Sequence, residues 1–208
     1  PVDQSRRLAI KIAGDHNVLF VAAAGNNAET TPLLERSNDT IPVYPANYGA
    51  EGLDNVIAVA ATSACVGPPP KNDICLNGFS MSEQLSQGSH YGSTTVHLAA
   101  PGKDIVSTGW EVGVPSPATT FVGEGTSFAA AHVSGCAALL QARKLVITPS
   151  SPLLPRELKQ LMMENADPLP TLSGKTISGK RLNCYKALSK VVVVDTTPPA
   201  APRGLLHR

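Results

Sequence analysis

The chain has 208 residues, 42% of them hydrophobic, which is ordinary for a folded globular protein and excludes disorder as the default. Its 17 Lys+Arg against 16 Asp+Glu leave a formal charge of +1, and charged residues make up only 16%, too weak a field for a nucleic-acid or acidic-membrane binder. The length suits one sizeable domain, and the longest apolar run, residues 18–25, is far too short to span a bilayer.

Position 1 is Pro, and the first twenty residues hold no basic start, apolar stretch and cleavage site of the secretory kind, so the chain reads as cut from something longer. Residues 6–13 place apolar side chains at helical spacing with cations opposite, and Asp15-His16-Asn17 breaks that pattern. Two continuous apolar runs, residues 18–22 and 56–61, read as strands buried on both faces. Shorter strands are expected at residues 96–99, 104–107 and 119–122. Helices are expected at residues 127–143, at 155–165, where Pro155 suits a first turn, and at 182–190. Strands of this kind interleaved with helices predict an α/β layer fold around a parallel sheet. No internal repeat is present. From residue 191 the chain runs into closely spaced prolines, a linker composition, with a frayed tail as the plainer reading.

Chemistry concentrates in two places. In VAAAGNN, residues 21–27, a buried strand ends in small residues and then presents the Asn26 amide where ligands gather in open α/β sheets. An Asn after Gly at a strand end is also simply a turn residue. In GEGTSFAAAHVSG, residues 123–135, glycines lead into an Ala-rich helix with Ser127 at its N-terminus, where backbone N–H groups and the dipole favour a reaction that develops an oxyanion. Thr126 or Ser127 acting only as a helix cap is the plainer alternative.

Together these stretches resemble the subtilisin-like serine peptidases in order and spacing, from about Leu8 to Leu188. VAAAGN, YPANY (44–48) with VIAVAAT (56–62), SHYGSTTVHLAAPGKDIVST (89–108), GTSFAAAHVSGCAALL (125–140) and GKRLNCYKAL (179–188) each match a family segment in turn. The resemblance implies a three-layer α/β fold with a mostly parallel central sheet, incomplete on its N-terminal side, over residues 1–190. Residues 191–208 would then be a proline-rich linker or the start of a β-sandwich module. It implies that Ser127 is the acyl-forming nucleophile and that Asn26, with the Ser127 N–H, forms the oxyanion hole. Thr126 would add a longer-range contribution. Ala23, Ala24 and Gly25 would wall the specificity pocket, with Asn27 and residues 43–46 at its base or rim. The implied substrate is a polypeptide; no cofactor, nucleic acid or membrane is expected.

The family's triad also needs an aspartate and a histidine, and neither upstream motif occurs in these 208 residues. His132 lies five positions beyond Ser127, about 140° around a helix of 3.6 residues per turn, and cannot readily meet it. His16, His90, His97 and His207 read as turn, loop, strand and tail residues. The chain is therefore expected to be the C-terminal part of a peptidase domain, inactive and marginally folded without the missing N-terminal half. Ala131 stands where the motif usually has proline and Phe128 where it has methionine. His97 and Thr95 stand where some relatives carry carboxylates near a cation site, so no metal is expected from this stretch.

Cys65 and Cys75 flank the stiff excursion VGPPPKNDI, which a disulfide would clamp, whereas Cys136 and Cys184 read as small buried hydrophobes. A disulfide, a linker and this peptidase class favour secretion. Two functions stay open: a serine endopeptidase whose base comes from elsewhere, or a peptidase-like binding or scaffold protein that has lost its triad. Retention of both Asn26 and Ser127 favours the first, since a scaffold needs neither. An α/β-hydrolase fares badly, because Gly-Thr-Ser-Phe-Ala lacks the second glycine of a nucleophile elbow.

Overall fold

The structure, a computed structural model, describes residues 3–27, 32–63, 83–109 and 119–191. The expected bridge between Cys65 and Cys75, His207 and the proline-rich tail lie outside the described residues. Helix α1 (Gln4–Asp15) is launched by Asp3, whose carboxylate accepts the Ser5 and Arg6 N–H groups at 3.1 and 3.2 Å. Strand β1 (Phe20–Ala23) runs parallel to β2 (Val56–Ser63), with Ala22 opposite Ala58. Two-residue β3 (Gln84–Leu85) pairs antiparallel with the end of β2, and β4 (Leu98–Pro101) pairs parallel with it. Strands β5 (Ile105–Gly109) and β6 (Thr119–Gly123) form a separate antiparallel pair that leads into the long helix α2 (Thr126–Ile147). Helix α3 (Pro155–Glu164), strands β7 (Asp167–Pro168) and β8 (Lys180–Arg181), and helix α4 (Cys184–Leu188) complete the described chain. The main sheet has the order β1-β2-β4-β8-β7, with β1 at one end.

All eight residues of β2 are buried, as a continuous apolar run requires of a strand covered on both faces. Alternation along it separates the two faces. Ile57, Val59 and Ala61 pack with Ala129, Val133, Cys136, Ala137 and Leu140 of α2 and with Leu158 and Met162 of α3. Val56 and Ala58 face the other way, against Ile10 of α1, Ala46, Tyr48 and Leu53. The molecule is thus three layers deep, helices on both faces of a mostly parallel sheet. The α2 positions 129, 133, 136, 137 and 140 fall on one stripe at helical spacing. Small residues there let the helix lie close to Ala61 and Ala100, while each large residue sealed in, such as Leu140, contributes about 1.5–3 kcal/mol. Cys136 and Cys184 are free thiols that meet where α2 and α4 pack, Cys136 buried and Cys184 partly so. No helix among the described residues is long and apolar enough to cross a membrane.

His97, just ahead of β4, ties that strand to β2: it is 3% exposed and its Nδ1 accepts the Ala58 N–H at 2.9 Å. Burial, with the Lys159 ammonium adding to it, holds its pKa down to about 3. The unfolded chain takes up a proton near pH 6.5 that the folded protein refuses, so this stability is complete above pH 6.5 and is lost as pH falls from there towards 3. At pH 5 the loss is about 2 kcal/mol, at roughly 1.4 kcal/mol per pH unit. His97→Asn, which keeps an acceptor for the Ala58 N–H but does not titrate, is expected to flatten the fall in stability between pH 7 and 5. Denaturant melts across that range check it, and parallel curves for the two proteins would count against this role for His97.

Candidate active site

Two glycines shape the site. Gly125, the residue before α2, has φ 129°, and a Cβ there would stand 3.3–3.5 Å from the Asn26 carboxamide. Gly25 has φ 121°, and a Cβ there would stand 3.1 Å from the His90 ring. Both backbones adopt a conformation that side chains rarely tolerate, and both make room for a neighbour of the same small cluster.

Through these turns the C-terminal end of β1 meets the N-terminus of α2. The Thr126 N–H, one of the amides a helix leaves without an internal acceptor, donates to Asn26 Oδ1 at 2.8 Å. Gly25 N–H donates to Thr126 Oγ1 at 3.2 Å, so the two segments are cross-linked twice. Gly125 N–H donates to the Gly102 carbonyl at 2.6 Å, which ties the start of α2 to the end of β4 as well. Asn26 Oδ1 is thus committed to the helix, the amide NH2 remains as a donor group, and Asn26 and Ser127 are both exposed. The arrangement presents side-chain and helix-terminal donors beside an exposed hydroxyl.

The other residues named from the sequence fall at different depths. Thr126 is fully buried, with its hydroxyl turned to Gly25. Ala24 is also fully buried, and its side chain packs with Ala60, Val96, Ala99 and Leu172 beneath the surface. Ala23 and Gly25 are half-buried, while Asn27 is exposed and donates its N–H to the Gly88 carbonyl at 3.0 Å. Phe128 turns its ring over Gly123 and meets Phe121 edge-on, with centroids 6.0 Å apart. A cavity of about 360 Å³ lies at the far end of β1 and β2, lined by Asn17, Asp54, Asn55 and Pro155 among others, away from these groups.

The described histidines stand at several places in the fold. His16 is the residue at the C-terminal end of α1, His97 holds Ala58, and His132 Nδ1 lies 3.0 Å from the Phe128 carbonyl of its own helix. His90, which reads from the sequence as a loop residue, is buried beneath Gly25 with Nδ1 2.9 Å from Asn38 Oδ1. Burial, with the Arg36 guanidinium adding to it, holds its pKa below the ordinary value. Asn38 carries no signal of its own in the sequence, because nothing local distinguishes a buried Asn from a turn residue. No group of three or more His, Cys, Asp or Glu side chains able to hold a metal ion occurs among the described residues.

The layered sheet, with its helices on both faces, is a subtilisin-like α/β fold. The chain belongs to the subtilase family, whose sequence profile matches residues 2–190. It is 31% identical over 185 residues to the A-subunit of the subtilase cytotoxin of Escherichia coli, covering 88% of this chain and 47% of that protein. It is 40% identical over 147 residues to the extracellular basic protease of Dichelobacter nodosus, covering 70% of this chain and 19% of that one. A solved structure, the A-subunit of the AB5 toxin from E. coli, superposes with TM-score 0.60 at 28% identity, over 90% of this chain and 55% of the other. The chain therefore spans about half the length of the first of these relatives and less of the second.

Proposed function

We propose that the protein is a serine endopeptidase that cleaves polypeptides through an acyl-enzyme on Ser127. The observation that supports this is the bond from Thr126 N–H to Asn26 Oδ1, which fixes the Asn26 carboxamide at the N-terminus of α2, one residue from Ser127. Ser127 Oγ attacks the scissile carbonyl carbon, its proton passing to a base, and the carbonyl oxygen becomes an oxyanion. Asn26 Nδ2 and the Ser127 N–H donate to that oxygen. Collapse expels the amine, which takes the proton from the base, and water then releases the acyl group by the same path. The main chain at Ala23, Gly25 and Asn27 lies where the substrate would rest, with Ala24 and Thr126 supporting it from below.

The base and its orienting acid belong, in this reading, to the part of the domain outside these 208 residues. That N-terminal half would be the chain's partner beside β1, residues 1–190 would be the C-terminal portion of the peptidase domain, and residues 191–208 would lead out of it. The matches to proteases, one of them named extracellular, support a peptidase acting outside the cytoplasm. A fluorophosphonate probe distinguishes this from a scaffold. The full-length protein is expected to gain one adduct, on the peptide holding Ser127, while the 208-residue chain alone gains none. A folded full-length protein that stays unlabelled would establish the scaffold reading instead.

A further inference from the structure

Beneath the Gly25–Asn26 turn lies a buried polar cluster that the reaction itself does not use. Asn38 is 1% exposed, and its Nδ2 donates to the Ala24 carbonyl at 2.9 Å. That commits Asn38 Oδ1 to accepting, so the His90 nitrogen 2.9 Å away, Nδ1, carries the proton of the neutral ring. The His90 main-chain N–H donates to the Gly25 carbonyl at 2.9 Å, and its ring packs under the Gly25 Cα. His90 and Asn38 together therefore grip the two carbonyls that precede the Asn26 amide.

The grip is itself anchored. Asn38 N–H donates to the Tyr91 carbonyl at 2.8 Å, Tyr91 N–H to the Arg36 carbonyl at 3.1 Å, and Asn47 Nδ2 to the Asn38 carbonyl at 2.9 Å. Next to Asn38, the Asp39 carboxylate accepts from the hydroxyls of Ser93, Thr94 and Thr95 at 2.7–3.0 Å. Burial raises the pKa of Asp39, but these donors outweigh it and hold the group below the usual carboxylate range. The loop carrying Asn38 is thus pinned on both sides to the loop carrying His90. His90 Nε2 is buried without a protein hydrogen-bond partner among the described residues, so the ring's hydrogen bond to the protein is made on its Nδ1 side.

We propose that His90 is a positioning residue for the oxyanion site: through Asn38 Oδ1 and its own main chain it fixes Ala24–Gly25, and so the direction in which the Asn26 amide donates. This rests on the reading of Asn26 as an oxyanion donor. Hydrogen-bond donors work best when their positions are set before charge develops, and a misplacement of about 1 Å at a reacting centre costs about 10²-fold.

The test is steady-state turnover of a polypeptide by the full-length protein. His90→Ala is expected to lower kcat about tenfold or more with KM changed by less than about twofold, the signature of an interaction used only in the transition state. His90→Asn, whose Nδ2 sits where the ring's Nδ1 stands, is expected to recover most of that loss, whereas His90→Gln, whose amide lies one bond further out, is not. In an Asn26→Ala background His90→Ala is expected to change kcat by less than about twofold, because a residue acting through Asn26 has nothing left to act on. Equal losses in both backgrounds, or a kcat unmoved by His90→Ala, overturn the proposal while leaving the peptidase reading intact. If His90→Ala does not fold, the contrast of Asn with Gln at position 90 decides alone, and equal kcat for the two overturns it. A wild-type protein with no turnover and no probe adduct overturns both readings.

Discussion

Ser127→Ala is expected to lower kcat on the order of 10⁶-fold, a magnitude taken over from subtilisin, a member of the same family, on losing its nucleophile. The fold should not notice. Ser127 is exposed in the first turn of α2, and the packing there is done by its neighbours Thr126 and Ala129, both fully buried. Alanine is the better helix former, so stability should stay within about 0.5 kcal/mol of the parent. Some rate enhancement should survive, roughly 10³–10⁴ over water, because the Asn26 amide remains when the nucleophile goes. Turnover measured beside a thermal melt checks both halves. A variant that keeps activity within tenfold of wild type would show that the hydroxyl is a helix-terminal residue and nothing more, and that the nucleophile lies elsewhere.

The periodic elements were legible in the sequence and the short ones were not, for a physical reason. β2 announces itself because a strand buried on both faces must be apolar throughout, and residues 56–61 are; the strand adds only Thr62 and Ser63, both buried. Helix α2 runs to Ile147, beyond the expected 143: Leu145 and Val146 are exposed, but Ile147, seven positions beyond Leu140, packs against the same core. Helix α4 is shorter than the expected 182–190. The Leu182 N–H is taken by the Ala99 carbonyl, extending the sheet, and the Asn183 side chain caps the helix by accepting from Lys186 N–H. Strands β7 and β8, two residues each, are defined by tertiary pairing: Arg181 lies between Ala99 of β4 and Asp167 of β7. Nothing in Lys180-Arg181 itself could report that.

The same division runs through the candidate site. Asn26 and Ser127 stand in motifs whose local chemistry is visible: small residues at a strand end, and a hydroxyl where a helix begins. What joins them is a contact across 100 positions of sequence, from Thr126 N–H to Asn26 Oδ1. Asn38 and His90, 52 positions apart, meet under Gly25 in a cluster of polar residues that composition and periodicity assign to loops. Ala24 has a packing role that its motif does not announce: its methyl lies against Ala60 and Leu172.

Asn26→Ala is expected to lower kcat about 10²–10³-fold with KM little changed, the loss found when subtilisin, of this same family, is deprived of its asparagine donor. Alanine also orphans the Thr126 N–H, for about 1–3 kcal/mol of stability if water does not reach it, so the rate must be read against a melt. Asn26→Asp separates the two effects. Its first carboxylate oxygen can still accept the Thr126 N–H at the helix N-terminus, where negative charge is favoured, and the fold should be at least as stable as the parent. Its second oxygen then stands where the amide N–H groups were and opposes the developing oxyanion. Asp at this position should therefore be stable yet slower than Ala, reversing the order that lost packing or a lost helix contact would produce. If Asp is instead the faster of the two, Asn26 serves the fold through Thr126, and the oxyanion is stabilised by other donors.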